Sequence, residues 1–287
     1  MSLLRVLRTG PLTLVEDLGR PGHAAIGVGR SGAADRGALR LANRAVGNPE
    51  GAAALEVLLG GLELEVVGGP VTLCVSGAPV PVRVGERDVG SSYVARARAG
   101  EVVRLGVAPR GLRSYVAVRG GIDVPAVLGS RSRDVLAGLG PEPLAVGDEL
   151  PVGDPAGEPP VADLLVPPRL PEVVGLRVVR GPRDDWLVDA DALTSTAWTV
   201  SDESDRVGIR LLGAPLAHRD ADRQLPSEGA WRGAVQVSPS GAPVVFLADH
   251  PVTGGYPVAA VVVDADVDLV AQARPGQALR FGWVKGR

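Results

Sequence analysis

Lysine is almost absent from this chain. It carries 30 basic residues, and Lys285 is the single lysine among them. A P-loop needs G-x-x-x-x-G-K-[ST], so none is encoded. A Schiff-base lysine has no residue to be built on except Lys285, in "VKGR". Biotin is carried on a lysine, and Lys285 lacks a carrier context, so no biotin is expected on this chain. Any anion held here must be held by arginine and by backbone N–H groups. Cysteine is equally scarce. Cys74 is alone, which excludes an intrachain disulfide and a cysteine metal site. Its setting, "VTLCV", reads as a small core residue. The 3 histidines, His23, His218 and His250, lie far apart without metal-ligand spacing, so no metal site is expected from this chain alone. The net charge is −3, which leaves no nucleic-acid footprint. No apolar run approaches the ~18 residues of a membrane span. The opening "MSLLRVLRTG" lacks the apolar core of a signal peptide. A cytoplasmic location without a membrane partner is the expectation.

What is present is strand-like. Hydrophobic residues make up 45% of 287, and charged residues 22%, an ordinary globular balance. "LELEVV" (62–67) alternates as a half-buried strand does. "VTLCV", "VPVRV", "VVRLGV" and "RSYVAV" follow, and later "LRVVRG", "GIRLLG", "APVVFLA", "VAAVVV" and "ALRFGWV". Many short strands divided by turns predict sandwiches or barrels. The pattern predicts a helix from an Asp35 N-cap to about Val46, with Leu39, Ala42 and Val46 on one face and Gly47 past its end. Shorter helices are predicted over Arg133–Ala137 and near Asp184. Residues 151–171 hold seven prolines and suit a linker or strap. This places an N-terminal β domain at 1–170 and a C-terminal one at 171–287. Three short pairs recur in order: "LRVLRTGP" with "LRVVRGP", "SGAPVPV" with "SGAPVVF", and "AGEVVRLGV" with "PGQALRFGW". Duplication and chance both remain open.

Gly27, Gly29 and Gly32, in "GVGRSGAADRGALRLAN", fit G-x-G-x-x-G. A dinucleotide fingerprint must follow a strand and open the helix of a βαβ unit. Here Pro21 and Gly22 break the lead-in, and later α/β alternation is lacking. The glycines read as turn formers.

The segment "TLVEDLGRPGHAAIGVGRSGAADRGALRLANRAVGN" resembles the opening signature of the KipA/PxpC family. Its members are described as the 5-oxoprolinase C subunit, allophanate hydrolase subunit 2 or biotin-dependent carboxyltransferase. The resemblance continues through "RSYVAVRGGIDVPAVLGSRSRD", "SDRVGIRLLG", "SEGAWRGAVQVSPSGAPVVFLADHPVTGGYPVAAVV" and "AQARPGQALRF". It departs at Glu16, where the family usually has Gln, and at Ala34, where it often has Met. The resemblance implies a mainly β fold of two cyclophilin-like β-barrel domains with a few short helices. It implies two partner proteins, one PxpB/KipI-like and one PxpA-like. With them the chain would form an ATP-dependent 5-oxoprolinase that opens pyroglutamate to L-glutamate, using ATP with Mg in the complex. Two alternatives stay open. One is the carboxyltransferase component of a biotin-dependent urea or amide carboxylase. The other is a non-enzymatic regulator that binds a KipI-like partner.

The residues themselves offer several candidate groups. In "LADHPVTGGYP", Asp249 and His250 are expected to emerge at a strand end, with His250 as acid or base. Thr253, Gly254, Gly255 and Tyr256 then form a turn whose N–H groups could cradle an anion. "ESDRVGIR" sets Arg206 and Arg210 four apart beside Ser204, where they could grip a carboxylate or phosphate. The other reading of Arg206 is an ion pair with Asp202, Glu203 or Asp205. His250, Asp249 and Arg206 are the catalytic candidates. For substrate binding, Gln236 and Ser238 share a strand face. Asp17 and Arg20, in "EDLGRPG", are spaced to pair across a turn. Ser31 lacks a nucleophile-elbow context, so it is a binding rather than a nucleophile candidate. Arg131, Arg133 and Asp134 sit at an expected loop-to-helix junction, as an anion site or as a capped surface turn.

Overall fold

A computed structural model describes residues 2–158, 166, 169–220 and 222–284. Lys285 and the centre of the proline-rich stretch lie outside the described residues. The chain forms two compact units. The first comprises Met1–Arg20, Ser31–Asp134 and Gly138–Leu170. The second comprises Pro21–Arg30, Val135–Ala137 and Pro171–Arg287. Two short pieces of the first half thus belong to the second unit. The chain is mainly β with three short helices. Among the described residues no helix is long and apolar enough to cross a membrane.

The first unit is built of two antiparallel sheets around one core. The six-stranded sheet runs in the order Glu149–Pro151, Leu3–Thr9, Leu62–Val67, Val102–Leu105, Val82–Val84, Arg87–Asp88. The five-stranded sheet runs Leu12–Glu16, Ala54–Leu58, Arg113–Val118, Val71–Gly77, Val94–Ala97. Alternation decides which side chains enter. Leu62, Leu64 and Val66 are buried, and Glu63, Glu65 and Val67 between them are not. Both sheets feed one cluster, with Leu4, Val6, Leu64 and Val103 from the first and Leu55, Val57, Leu73 and Val116 from the second.

Strand Arg113–Val118 is buried along its whole length. Val116 and Val118 enter the central cluster. Tyr115 and Ala117 face the other way, beneath the helix α1 (Arg36–Ala45). The face α1 presents, Ala38, Leu39, Ala42 and Ala45, is mostly alanine, so the helix packs close to the strands. Asp35 caps it by accepting from the Ala38 N–H at 2.8 Å, as its sequence position predicts.

In the second unit hydrogen bonding closes the ring. The order is Val174–Arg180, Val258–Val262, Ala234–Val237, Pro243–Phe246, Gly208–Leu212, Trp198–Val200, Ala278–Trp283, and back to the first. All pairs are antiparallel except the closing one, Val174–Arg180 with Ala278–Trp283. Closure leaves no sheet edge within the ring. Leu176, Trp198, Ile209, Val235, Val245, Ala260 and Leu279 fill the interior. α2 (Ala192–Ser195) and α3 (Asp264–Ala271) lie outside the ring strands. Arg177 grips α3 through Asp266, with Nε donating at 2.9 Å and Nη2 at 2.7 Å.

Three expectations differ from what is observed. Arg133–Ala137 is not helical, because Asp134 bridges to Leu139 and closes a tight turn. Near Asp184 there is only one 3-10 turn, Asp184–Trp186. α3 has no counterpart in the expectations, which stop at the preceding strand "VAAVVV". The recurring segments also sit differently. Leu3–Thr9 and Val102–Leu105 flank Leu62–Val67, whereas Val174–Arg180 and Ala278–Trp283 pair directly.

Candidate functional site

In the second unit, antiparallel register brings two separate motifs together. Gly208 pairs with Phe246. Arg206 therefore lies just before one strand and Asp249 just after its neighbour. The Leu247 N–H donates to the Val207 carbonyl at 2.9 Å, and the Asp249 N–H to the Arg206 carbonyl at 3.1 Å. The side chains then meet. Arg206 Nε donates to Asp249 Oδ2 at 2.8 Å and Nη2 to Oδ1 at 3.2 Å. The two side chains are 4% and 0% exposed. Asp249 also accepts from the Val135 N–H at 3.1 Å. Arg206 is thus ion-paired with Asp249, and not with Asp202, Glu203 or Asp205. A fork closed on a buried carboxylate fixes this end of the barrel.

His250 follows at once. Its Nδ1 lies 2.8 Å from the Pro251 carbonyl, which can only accept, so Nδ1 carries the hydrogen. Its ring stacks on Phe246, with centroids 5.8 Å apart and planes 17° apart. Ser204 closes the preceding loop, where its Oγ accepts from the Arg210 N–H at 3.0 Å. The Arg210 side chain is exposed on strand Gly208–Leu212.

The turn Thr253–Tyr256 is held from both sides. Thr253 and Gly254 pair with Gly229 and Glu228 as a short ribbon. Glu228 is held by Arg183, whose Nε donates to both its oxygens at 3.1 Å. That pairing keeps the Glu228 carboxyl below its usual value. On the other side, buried Gln236 donates from Nε2 to the Tyr256 carbonyl at 3.1 Å. A Cβ at Gly254 would meet Gln236 Nε2 at 2.5 Å, so a larger residue there would displace that amide from the Tyr256 carbonyl.

This turn forms one wall of a cleft of about 430 Å³. Gly255, Tyr256 and Pro257 face Arg223 and Leu225, with Trp186 and His218 also lining it. Trp186 is buried, and the Arg223 guanidinium lies over its ring, 4.0 Å from the centroid. His218 Nε2 donates to the Ser238 carbonyl at 2.8 Å. Sequence reading missed Trp186, His218 and Arg223. No local pattern marks them; the Leu187–His218 bridge and the Arg219 N–H donated to the Trp186 carbonyl bring the first two segments together, and Arg223 closes over the Trp186 ring.

In the first unit, Asp17, Arg20, Ser31 and Arg133 converge on one loop. Asp17 and Arg20 do not pair with each other. Asp17 instead accepts from Gly19 N (2.7 Å), Ser130 Oγ (2.6 Å), Arg131 N (2.7 Å) and Ser132 Oγ (2.6 Å). Arg20, 1% exposed, donates to the carbonyls of Val127 and Ser132. Its Nη1 is buried with no hydrogen-bond partner among the described residues. Ser31 Oγ donates to the Arg133 carbonyl at 3.2 Å, and Arg133 Nη1 to Glu142 at 2.8 Å. Gly32, at φ 96°, lets the chain pass so close that a Cβ would sit 2.7 Å from Gly19 N.

Behind this loop, Glu56 accepts from Tyr115 Oη at 2.7 Å and Ala34 N at 3.0 Å, and pairs with buried Arg113. Burial, first, and Glu56, second, push the Tyr115 hydroxyl well above its ordinary pKa. Cys74 is buried in the same layer, and burial pushes its thiol up to about 12. Among the described residues no group of His, Cys, Asp and Glu could hold a metal ion.

With this geometry in view, comparison with known proteins is informative. The profile of the family "Carboxyltransferase domain, subdomain A and B" matches residues 26–283. The chain is 38% identical to the 5-oxoprolinase C subunit of Escherichia coli strain K12, over 97% of this chain and 90% of that protein. The crystal structure of TTHA0988 superposes with a TM-score of 0.88 at 34% identity, covering 98% of this chain and 56% of that one. The Kluyveromyces lactis urea carboxylase superposes with a TM-score of 0.90 at 29% identity, covering 99% of this chain. This chain spans 27% of that larger enzyme. The chain belongs to the carboxyltransferase-domain family, subdomains A and B.

Proposed function

We propose that this carboxyltransferase-family member serves as the C subunit of an ATP-dependent 5-oxoprolinase in the cytoplasm, acting with PxpA-like and PxpB-like partners to open 5-oxoproline to L-glutamate. The observation that carries the proposal is the 38% identity to the Escherichia coli protein of that name, sustained over nearly all of both chains.

The lactam amide is stabilised by resonance and resists water. Opening it needs alignment of the ring, attack of a water oxygen on the carbonyl carbon and proton transfer to the leaving nitrogen as the C–N bond breaks. On this chain the second unit supports those tasks. The cleft beside Tyr256 would bind and orient the ring. His250, with Nδ1 fixed by the Pro251 carbonyl, is the candidate acid or base; it follows the same strand end but is not among the residues that line the cleft. Asp249 and Arg206 hold the strand ends that position it.

The described residues do not fit the phosphates of ATP with Mg. Arg206 is closed on Asp249, Arg20 on loop carbonyls, and Arg133 on Glu142. No carboxylate cluster suits a metal among the described residues. No step is therefore assigned to nucleotide on this chain, and ATP is assigned to the complex.

The test is co-expression with candidate PxpA-like and PxpB-like partners, followed by an assay of ATP hydrolysis with and without 5-oxoproline. The full complex should hydrolyse ATP only when 5-oxoproline is present, and this chain alone should be inactive. A complete complex without 5-oxoproline-dependent turnover would overturn the proposal. A second reading, as a component of a biotin-dependent urea or amide carboxylase, is favoured by the superposition on urea carboxylase. Carboxybiotin-dependent transfer to urea would establish it instead.

A further inference from the structure

We propose that Arg223, stacked on Trp186, is the carboxylate-binding residue of the cleft in the second unit, and that this cleft takes a small, singly charged carboxylate.

The argument starts from what the guanidinium leaves unused. A guanidinium over an indole uses its face and keeps its edge of N–H donors. Among the described residues Arg223 has no hydrogen-bond or ion-pair partner; its one contact of note is the Trp186 ring. Stacking removes much of its rotational freedom, so a fork of donors stands ready to meet two carboxylate oxygens. Of the arginines singled out by their motifs, Arg206, Arg20 and Arg133 are turned to protein acceptors, while Arg210 is exposed on its strand and does not line the cleft.

The surroundings select the ligand. The cleft, about 430 Å³, accommodates a small ring. Tyr256 and Pro257 add apolar groups to the lining. Asp220 and Asp222 also line the cleft, and the Asp222 N–H donates to Asp220 Oδ1 at 3.1 Å. Two carboxylates beside one guanidinium disfavour every anion, and a phosphate dianion about twice as strongly as a monoanion, so only a single charge directed at Arg223 is tolerated. His218 faces the same space with Nε2 turned to Ser238. Identifying the ligand as 5-oxoproline, a five-membered lactam with one carboxylate, rests on the function proposed above; the carboxylate site itself does not.

Calorimetric titration of the purified full chain tests this. L-5-oxoproline should bind about tenfold or more tightly than its neutral primary amide, the ratio expected of a charge-assisted fork. Arg223→Ala should abolish that preference while leaving the urea midpoint unchanged. Arg223→Lys should restore part of it, because a point charge replaces a fork. Inorganic phosphate should compete poorly. Equal binding of acid and amide, no binding of either, an unchanged preference in Arg223→Ala, or phosphate outcompeting the acid would each overturn the assignment. Loss of 5-oxoproline turnover in the complete complex, with Arg223-dependent binding intact, would instead sink the proposed function and leave this site standing.

Discussion

Arg20 in the first unit is sealed inside and donates to the carbonyls of Val127 and Ser132, whereas Arg223 in the second lies exposed across the face of Trp186. The same contrast holds between their surroundings. Around Asp17, glycine, serine and arginine motifs from distant parts of the first unit satisfy one another. Around Tyr256, the second unit leaves a cleft with donors that nothing internal takes up. A motif dense in polar residues therefore need not be a binding site. It can be a loop that must solvate itself because it is buried. A functional group is better recognised by donors left unsatisfied next to space.

Four substitutions would break or sharpen that comparison. The largest effect is expected at the buried pair of the second unit. Arg206→Ala removes the guanidinium paired with buried Asp249, at a cost of roughly 3–5 kcal/mol. Urea denaturation should show it, and the double substitution with Asp249→Ala should be less costly than the single one. If Arg206→Ala lost activity at unchanged stability, Arg206 would be a ligand residue and the contrast would fail. Next is Asp17→Asn, which places an amide among donors. Hydrogen bonds to a charged group each contribute about 1.5–3 kcal/mol, so a loss of this order is expected in the same measurement. Below it stands Asp35→Ala, which removes the cap of α1 at a cost of about 1 kcal/mol.

The smallest effect is conditional on pH. Arg177 holds the Asp266 carboxyl below its ordinary pKa, chiefly by side-chain hydrogen bonding. A depressed carboxylate stabilises the fold above its unfolded value and loses that contribution as pH falls through the folded one. The stability gap between the natural chain and Asp266→Asn should thus be full at pH 7 and shrink below about pH 4. A gap independent of pH would show that the contribution is packing rather than charge.

Much of the fold was legible in the residue order. "LELEVV" and "RSYVAV" coincide with observed strands, and Asp35 caps its helix. These features are local: alternation, capping and turn glycine act within a few residues. The 133–137 segment failed because a single bridge, Asp134 to Leu139, outweighs helical preference there. α3 escaped notice because the sequence reading stops at the preceding strand "VAAVVV", and Arg177 on a remote strand helps hold the helix. The sites divide in the same way. The Asp249–His250 strand end was readable, yet the partner of Arg206 was not, since register alone sets Gly208 against Phe246. Asp17 and Arg20, spaced to pair across a turn, instead turn to a loop more than a hundred residues away in the chain.

The sequence by itself determined that arginine supplies all but one of the basic side chains, that the chain is built of brief strands, and where its first helix begins. Only the tertiary structure decided which arginines remain available. Availability depends on acceptors brought close by sheet register and ring closure, and those distances are properties of the folded chain rather than of any local stretch.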